Sequence, residues 1–189
     1  VLSTLLACGF SLSDAAKSLQ EIQPIPGRME KFGGGNLPLV VIDFAHTPEA
    51  LEKTLIALRV VINSAKDVTN IKDKKSKLIC IFGCGGDRDQ DKRALMGKIA
   101  TELSDETIIT SDNPRNEDPC SIINEIVLGA GVNYLVQENR EAAIRRALYG
   151  AHKGDIVLIA GKGHEAYQEI GAKRFPFSDA KVVRLILQE

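Results

Sequence analysis

The stretch "KLICIFGCGGDRDQDKRALMGKIATEL" at residues 77–103 decides the fold. The segment 77–83, which is apolar from Leu78 to Phe82, leads into a glycine-rich turn, and the pattern of a helix follows at 91–103. A short continuous apolar run is typical of a strand that is buried on both faces of a sheet. The stretch therefore predicts a strand, a loop and a covering helix, which is the repeating unit of a parallel α/β fold.

The same unit recurs along the chain. Further apolar runs predict strands at 37–44, 107–111, 133–137 and 155–161. Helices are predicted from Pro48 onward and at 121–130, 140–151 and 178–188, the last with Ser178 as its N-cap. The helix that Pro48 opens has an apolar face formed by Leu51, Leu55, Leu58 and Ile62. This alternation predicts an α/β fold: a Rossmann-like, mostly parallel sheet of about six strands with helices on both faces.

The first 30 residues look different from the rest. The segment 13–20 predicts a short helix with Ser13 as N-cap, and two prolines within 23–27 end it. We expect residues 1–30 to be a tail and linker and residues 31–189 to form the compact domain. The polar, lysine-rich segment 63–77 is expected to be a solvated surface loop.

Composition excludes several classes of protein. The 189 residues carry a formal net charge of -1, which gives no electrostatic reason to expect nucleic acid or an anionic membrane as a partner. No apolar stretch reaches the ~18 residues of a membrane span, and the first residues lack the basic leader of a signal peptide. Four cysteines without a C-x-x-C pair argue against zinc and for an intracellular protein with buried thiols. The start at Val1 suggests a fragment of a longer protein.

The loops that leave the strands are the candidates for a site, because ligands of such sheets bind at the carboxyl ends of the strands. The first predicted strand ends at Asp43, and Thr47 follows before the helix. Asp43 could accept hydrogen bonds from a ribose, or both residues could simply cap the helix. The sequence leaves these alternatives open.

The second loop, 83–93, combines three glycines with Arg88. Glycines permit a positive φ and exposed amides that can cradle an anion, although the dinucleotide fingerprint G-x-G-x-x-G is not complete here. Asp87, Asp89 and Asp91 flank Arg88. A salt-linked arginine would present a rigid fork to a carboxylate, and the alternative is an ordinary surface cluster of ion pairs.

The third loop begins with "DNPR" at 112–115. Pro114 fixes its own φ and favours an extended Asn113, so Asp112 and Arg115 are held on a stiff backbone. An acid, an amide and a base at the same edge as Arg88 can grip the carboxylate and the ammonium of an amino acid together. The sequence therefore predicts a zwitterionic ligand.

The fourth loop, "AGKGHEAYQ" at 160–168, is not a Walker phosphate loop, because Ile156 and Gly163 stand where that pattern needs Gly and Ser or Thr. Gly161 lets the backbone approach a ligand closely, and Glu165 supplies a negative charge. His164 is expected to have a structural role rather than that of a catalytic base.

Five motifs in order resemble the Mur ligase family of peptidoglycan synthesis, within it the branch that adds meso-diaminopimelate. They are "PGRME" (26–30), "DFAHTPEAL" (43–51), "FGCGGDRDQDKR" (82–93), "DNPR" (112–115) and "AGKGHE" (160–165). The resemblance implies a three-domain, cytoplasmic, monomeric ATP-dependent ligase. Residues 1–30 would end its central ATP-binding domain, and residues 31–189 would be its C-terminal domain, inactive alone.

The resemblance also implies roles for individual residues. The diaminopimelate would be held by Arg88, Asp112, Asn113, Pro114, Arg115, Gly161 and Glu165. Arg28, Asp43 and His46 would lie on the nucleotide side. ATP and Mg²⁺ would be bound mainly by the missing central domain, with no metal site in this fragment, and the other substrate would be a UDP-linked muramyl dipeptide.

Three rival functions differ from this one in what the loops would bind. A lysine-adding relative is disfavoured, because the resemblance implies that such ligases lack the arginine of "DNPR". A non-catalytic amino-acid or nucleotide-binding module would use the same loops for sensing. A Rossmann oxidoreductase is disfavoured, because no complete dinucleotide fingerprint follows any strand.

Overall fold

The computed structural model describes residues 1–21, 25–68 and 76–188. In these ranges the strands are β1 (Glu30–Gly33), β2 (Leu39–Asp43), β3 (Leu78–Phe82), β4 (Glu106–Ile109), β5 (Tyr134–Val136), β6 (Ile156–Ala160), β7 (Tyr167–Ile170) and β8 (Lys173–Pro176). The helices are α1 (Leu2–Ala7), α2 (Leu12–Glu21), α3 (Pro48–Val68), α4 (Lys92–Leu103), α5 (Pro119–Val127), α6 (Arg140–Gly150) and α7 (Asp179–Gln188).

Six strands form one sheet in the order β1-β2-β6-β3-β4-β5. Strands β2, β6, β3, β4 and β5 each pair in parallel with their neighbours in this order, and β1 pairs antiparallel with β2 at the edge. The predicted Rossmann-like, mostly parallel α/β sheet is confirmed. Strand β1 was not predicted, because its sequence "EKFG" is short and alternates between half-buried and exposed positions, as edge strands do.

Alternate residues of the central strands face two separate cores, since side chains of a strand point to opposite faces. Leu78, Cys80 and Phe82 pack with α3, α4 and α5 on one face. Ile79 and Ile81 pack with α6 and α7 on the other. The predicted apolar face of α3 lies in the first core, with Leu51, Leu55, Leu58 and Ile62 all buried.

Several predicted boundaries need correction. Helix α2 is capped by Ser11 and not by Ser13, because Ser11 Oγ accepts the amide of Asp14 at 3.1 Å. Helix α3 continues to Val68, so residues 63–68 are not a loop; Ser64 Oγ bonds the Val60 carbonyl within it. Of the other residues of the predicted loop, 69–75 lie outside the described residues, as do residues 22–24.

Helix α5 begins two residues before its predicted start and ends at Val127. Asp118 is its N-cap and accepts the amide of Ser121 at 2.9 Å, with Pro119 at the first helical position. The predicted cap of α7 is present, since Ser178 Oγ accepts the amide of Lys181 at 3.4 Å.

A hairpin that was not predicted, β7 and β8, follows the fourth loop. It pairs antiparallel through a turn in which Gly171 has a φ of +56°. Its strands are half-buried or exposed and largely polar, so periodicity did not reveal it. The hairpin matters because it lies against the "DNPR" segment.

The four cysteines divide into two pairs. Cys80 and Cys84 are buried and Cys8 and Cys120 are exposed, so the expectation of buried thiols holds for two of them. Among the described residues, no helix is long and apolar enough to span a membrane.

Candidate functional site

A cavity of about 210 Å³ lies at the carboxyl edge of the sheet, where the loops after β2, β3, β4 and β6 meet. The residues that line it are Phe44, His46, Gly83, Cys84, Gly85, Arg88, Lys92, Asp112, Asn113, Arg115, Gly161 and Glu165. Seven of the ten predicted site residues are in this set. Separate crossover loops thus bring guanidinium and carboxyl groups to one hollow.

Three predicted residues do not line this cavity. Pro114 faces a neighbouring cavity that Ser111 and Gln168 also line. Arg28 lies with its guanidinium 4.5 Å from the centre of the Phe44 ring. The carboxylate of Asp43 accepts hydrogen bonds from backbone amides, as described below.

The glycines of the second loop serve close packing and not a positive φ. Gly83, Gly85 and Gly86 are not among the glycines with positive φ. A Cβ on Gly83 would lie 2.2 Å from the Thr110 carbonyl, and one on Gly86 would lie 1.9 Å from the Pro114 carbonyl. The absence of side chains therefore lets the loop after β3 approach the loop after β4 closely, and the positive φ that these glycines would permit is not adopted.

Arg115 is held by its backbone as well as by its side chain. Its φ is +51°, a region that a residue with a Cβ rarely adopts. The hairpin compensates, since the Arg115 amide donates to the Glu169 carbonyl and the Arg115 carbonyl accepts the Gly171 amide. The guanidinium donates through Nε to Glu169 Oε2 at 3.1 Å and through Nη1 to the Gly86 carbonyl at 2.7 Å.

Arg88 does not form the predicted ion pairs. It is exposed, and within the described residues its side chain bonds only the carbonyl of Asp87, at 3.3 Å. Asp87 instead accepts from the Asn116 amide group, and Asp89 accepts the amide of Asp91. The guanidinium of Arg88 is therefore available to a ligand of the cavity.

Asp112 is a buried acid beside a buried base. It is 8% exposed, and Arg140 Nη1 lies 3.9 Å from its Oδ2. Burial raises the pKa of Asp112, and the charges of Arg140 and Lys162 offset part of that rise. Arg140 is itself fixed by Asp179 on α7, which accepts from Nε and Nη2 at 2.9 Å each.

The side chain of Asn113 is held by hydrogen bonds to two side chains and one backbone amide. Its Oδ1 accepts from Lys162 Nζ at 2.9 Å and from the Glu169 amide at 3.0 Å. Its Nδ2 donates to Glu165 Oε2 at 2.8 Å. Lys162 was missed as a site residue, because the sequence showed it only as part of a rejected Walker pattern.

Asp43 supports the first loop and does not face the cavity. Its carboxylate accepts the amides of Met29 and Ala45 at 2.9 Å each. These bonds favour the capping alternative for Asp43, and Thr47 caps α3 by accepting the amide of Ala50 at 3.3 Å.

His46 lines the cavity from the first loop. Its Nδ1 lies 2.8 Å from the Phe44 carbonyl, and its own carbonyl accepts from Lys92 Nζ at 2.9 Å. The ring centre of His164 lies 5.7 Å from that of Phe44. Within the described residues, no group of three or more His, Cys, Asp or Glu side chains could hold a metal ion.

Known proteins are similar to this chain over most or all of its length. Residues 27–163 match the family described as Mur ligase, glutamate ligase domain. The chain is 54% identical over 190 residues to the UDP-N-acetylmuramoyl-L-alanyl-D-glutamate–2,6-diaminopimelate ligase of Nitrosomonas europaea, covering 100% of this chain and 36% of that protein.

Two solved structures have similar folds. A UDP-N-acetylmuramoyl-L-alanyl-D-glutamate–2,6-diaminopimelate ligase is 37% identical with a TM-score of 0.74, over 99% of this chain and 36% of that one. A bifunctional folylpolyglutamate synthase/dihydrofolate synthase from Yersinia pestis, complexed with AMPPNP and a Mn ion, is 25% identical with a TM-score of 0.60, over 86% and 35%. The chain thus spans about a third of the length of these relatives.

The fold and the cavity define an α/β domain with a charged cavity at the carboxyl edge of a mostly parallel sheet. More particularly, the chain belongs to the Mur ligase family and contains its glutamate ligase domain.

Proposed function

We propose that this chain is the amino-acid-binding part of an ATP-dependent ligase that adds meso-diaminopimelate to UDP-N-acetylmuramoyl-L-alanyl-D-glutamate in peptidoglycan synthesis. The names of the relatives support this reaction for the longer protein. In this proposal residues 1–30 end a central ATP-binding domain and residues 31–189 are the C-terminal domain. The observation that carries it is the shared cavity of Arg88, Arg115, Asp112 and Glu165.

Diaminopimelate has an amino acid group at each end, so one end must be held while the other amine reacts. Two guanidinium groups and two carboxyl groups in one cavity match the charges of the held end. Arg115 Nη2, which has no protein partner among the described residues, and the exposed Arg88 suit the distal carboxylate. Asp112 and Glu165 suit the distal ammonium.

The remaining predicted residues act indirectly in this proposal. Asn113 fixes Glu165, and Gly161 keeps the space beside Asp112 open, since a Cβ there would lie 2.8 Å from Asp112 Oδ2. Pro114 shapes the segment from outside the cavity. Asp43 braces the first loop, while Arg28 and His46 would meet the nucleotide.

ATP would activate the glutamate carboxylate of the UDP-linked substrate as an acyl phosphate, with Mg²⁺ as the accompanying ion. The chain has no phosphate loop and its described residues form no cluster of metal ligands, so both would be bound mainly by the rest of the longer protein. The described residues would hold the attacking amine in place and exclude acceptors that lack a second carboxylate.

Phosphate release by the full-length ligase, with meso-diaminopimelate and lysine compared as acceptors, tests the proposal. We expect kcat/KM to favour diaminopimelate by on the order of 10³-fold or more, because lysine leaves the arginines without a partner. Arg115→Ala should lose most turnover, whereas the exposed Arg146→Ala should not. Equal use of lysine would indicate the lysine-adding alternative, and no turnover with either would indicate a non-catalytic module.

A further inference from the structure

We infer that Lys162 is a positioning residue that fixes Glu165 and Asn113 in the orientation that receives the distal amino group of the acceptor. This inference rests on the proposed function and adds to it a residue that does not itself line the cavity. The hydrogen bonds that the buried Lys162 side chain donates to Asn113 and Glu165 support this role.

Lys162 lies between two glycines that turn the chain sharply. Gly161 has a φ of +111° and Gly163 a φ of +53°, and the lysine side chain between them is 0% exposed. A buried ammonium is costly unless charged and polar partners surround it. The burial of Lys162 therefore depends on the groups that accept hydrogen bonds from it.

The ammonium closes a three-membered ring of hydrogen bonds. Lys162 Nζ donates to Asn113 Oδ1 at 2.9 Å and to Glu165 Oε2 at 3.0 Å, and Asn113 Nδ2 donates to the same Glu165 oxygen at 2.8 Å. The face of the Tyr167 ring lies 5.8 Å from Nζ. These hydrogen bonds fix the orientation of the Asn113 side-chain amide, because its oxygen accepts from both Lys162 Nζ and the backbone amide of Glu169.

The ring leaves one oxygen of Glu165 for a ligand. Glu165 Oε2 takes two protein donors, while no donor from the described residues reaches Oε1. Glu165 lines the cavity, and its side chain is 22% exposed. An incoming ammonium therefore meets a carboxylate whose direction is already set, which reduces the entropy lost on binding.

The charges around Glu165 determine its ionisation. Burial pushes its pKa upward, but the hydrogen bonds from Lys162 and Asn113 and the charge of Arg115 outweigh burial, so the pKa is lowered. The negative charges of Asp112 and Glu165 disfavour each other, and the positive charge of Arg140 interacts favourably with both acids. Without Lys162, the burial effect remains and the pKa of Glu165 rises, so the anion is lost at a higher pH.

The test compares Lys162→Met with the exposed Lys181→Met in the full-length ligase, as KM and kcat for meso-diaminopimelate between pH 4 and 9. For Lys162→Met we expect the ratio of its KM to that of the wild type to rise as the pH falls through the raised pKa of Glu165, towards a limit of about tenfold for a shift of about one pKa unit, and to stay within about twofold at pH 9. The KM for the UDP-linked substrate should stay unchanged, and Lys181→Met should match the wild type throughout.

Two results would overturn the inference: a KM that does not change at any pH, or one raised equally at every pH, as a merely structural role predicts. If Lys162→Met does not fold, the neutral but polar Lys162→Gln replaces it, and the same rise of KM on acidification must appear; its absence would refute the inference. Failure of the wild type to use diaminopimelate would instead refute the proposed function.

Discussion

Arg115 Nη1 donates to the carbonyl oxygen of Gly86 at 2.7 Å, which joins the loop after β3 to the loop after β4. The position of the guanidinium therefore depends on how closely two backbones approach, and not only on the arginine. A residue with a side chain at position 86 would separate the loops, since its Cβ would meet the Pro114 carbonyl.

Gly86→Ala should lower the stability of the domain and weaken acceptor binding together. Overpacking of this kind costs about 1–3 kcal/mol, so thermal unfolding should show a clear fall in Tm. The matched control is Gly150→Ala at the end of α6, where a Cβ meets nothing within 4 Å. A Gly86→Ala protein as stable as the control would contradict the close approach.

Arg115→Gly should be more stable than Arg115→Ala by about 1 kcal/mol, because only glycine adopts a positive φ without steric cost. Both variants lose the guanidinium, so both should lose preference for diaminopimelate to the same extent. Denaturant unfolding and acceptor kinetics on the pair separate the strain at φ +51° from the chemistry of the side chain. If the alanine variant were the more stable one, the strained conformation would be wrong.

Asp179→Ala should destabilise the domain by about 3–5 kcal/mol, because it leaves the fully buried Arg140 without its main partner. Arg184→Ala on the same helix removes a half-exposed arginine from its ion pair with Glu30 and should cost less than about 1 kcal/mol. Urea unfolding of the two variants measures the difference. Equal losses would mean that burial of the Arg140–Asp179 pair is not what matters.

Asp112→Asn should make the domain more stable at neutral pH. The raised pKa of Asp112 means that the folded state disfavours its anion, so the wild type loses stability as pH rises through that pKa. Asparagine cannot ionise and escapes this loss, so the gap between the variant and the wild type should close as the pH falls towards the ordinary pKa of an aspartate. Tm values from pH 4 to 8 test this, and a gap that widens on acidification would reverse the sign.

Alkylation should distinguish the cysteines sharply. Burial raises the pKa of Cys80 and Cys84 to about 12, so almost no reactive thiolate is present at pH 8. Cys8 and Cys120 are exposed and should be alkylated before Cys80 and Cys84, although the hydrogen bond to Glu138 raises the pKa of Cys120. Peptide-level mass spectrometry after brief iodoacetamide treatment measures the order, and early labelling of Cys84 would show that the cavity opens to solvent more than the structure indicates.

Much of the parallel sheet could be predicted because its central strands are continuously apolar. Strand β3 is buried at every position, and helix α3 was predicted from the helical spacing of its apolar residues. Parallel topology then brings the loops after β3, β4 and β6 to one edge. The convergence of Arg88, Arg115 and Glu165 on one cavity is a consequence of that topology. Their roles as substrate ligands stay a prediction.

The parts that could not be predicted depend on contacts between distant polar residues. The hairpin β7–β8 has no apolar periodicity, yet its Glu169 and Gly171 hold the backbone of Arg115. In the sequence Lys162 stood out only within a rejected phosphate-loop pattern, and its buried side chain pairs with Asn113, far away in the sequence, and with Glu165, three residues on. Local sequence carries no signal for such pairings.

A structure of the full-length ligase with meso-diaminopimelate bound tests the central claim most directly. The distal carboxylate should lie within hydrogen-bonding distance of Arg115 and Arg88, and the distal ammonium should contact Asp112 and Glu165. A diaminopimelate bound with both ends away from this cavity, while the enzyme remains active, would contradict the account.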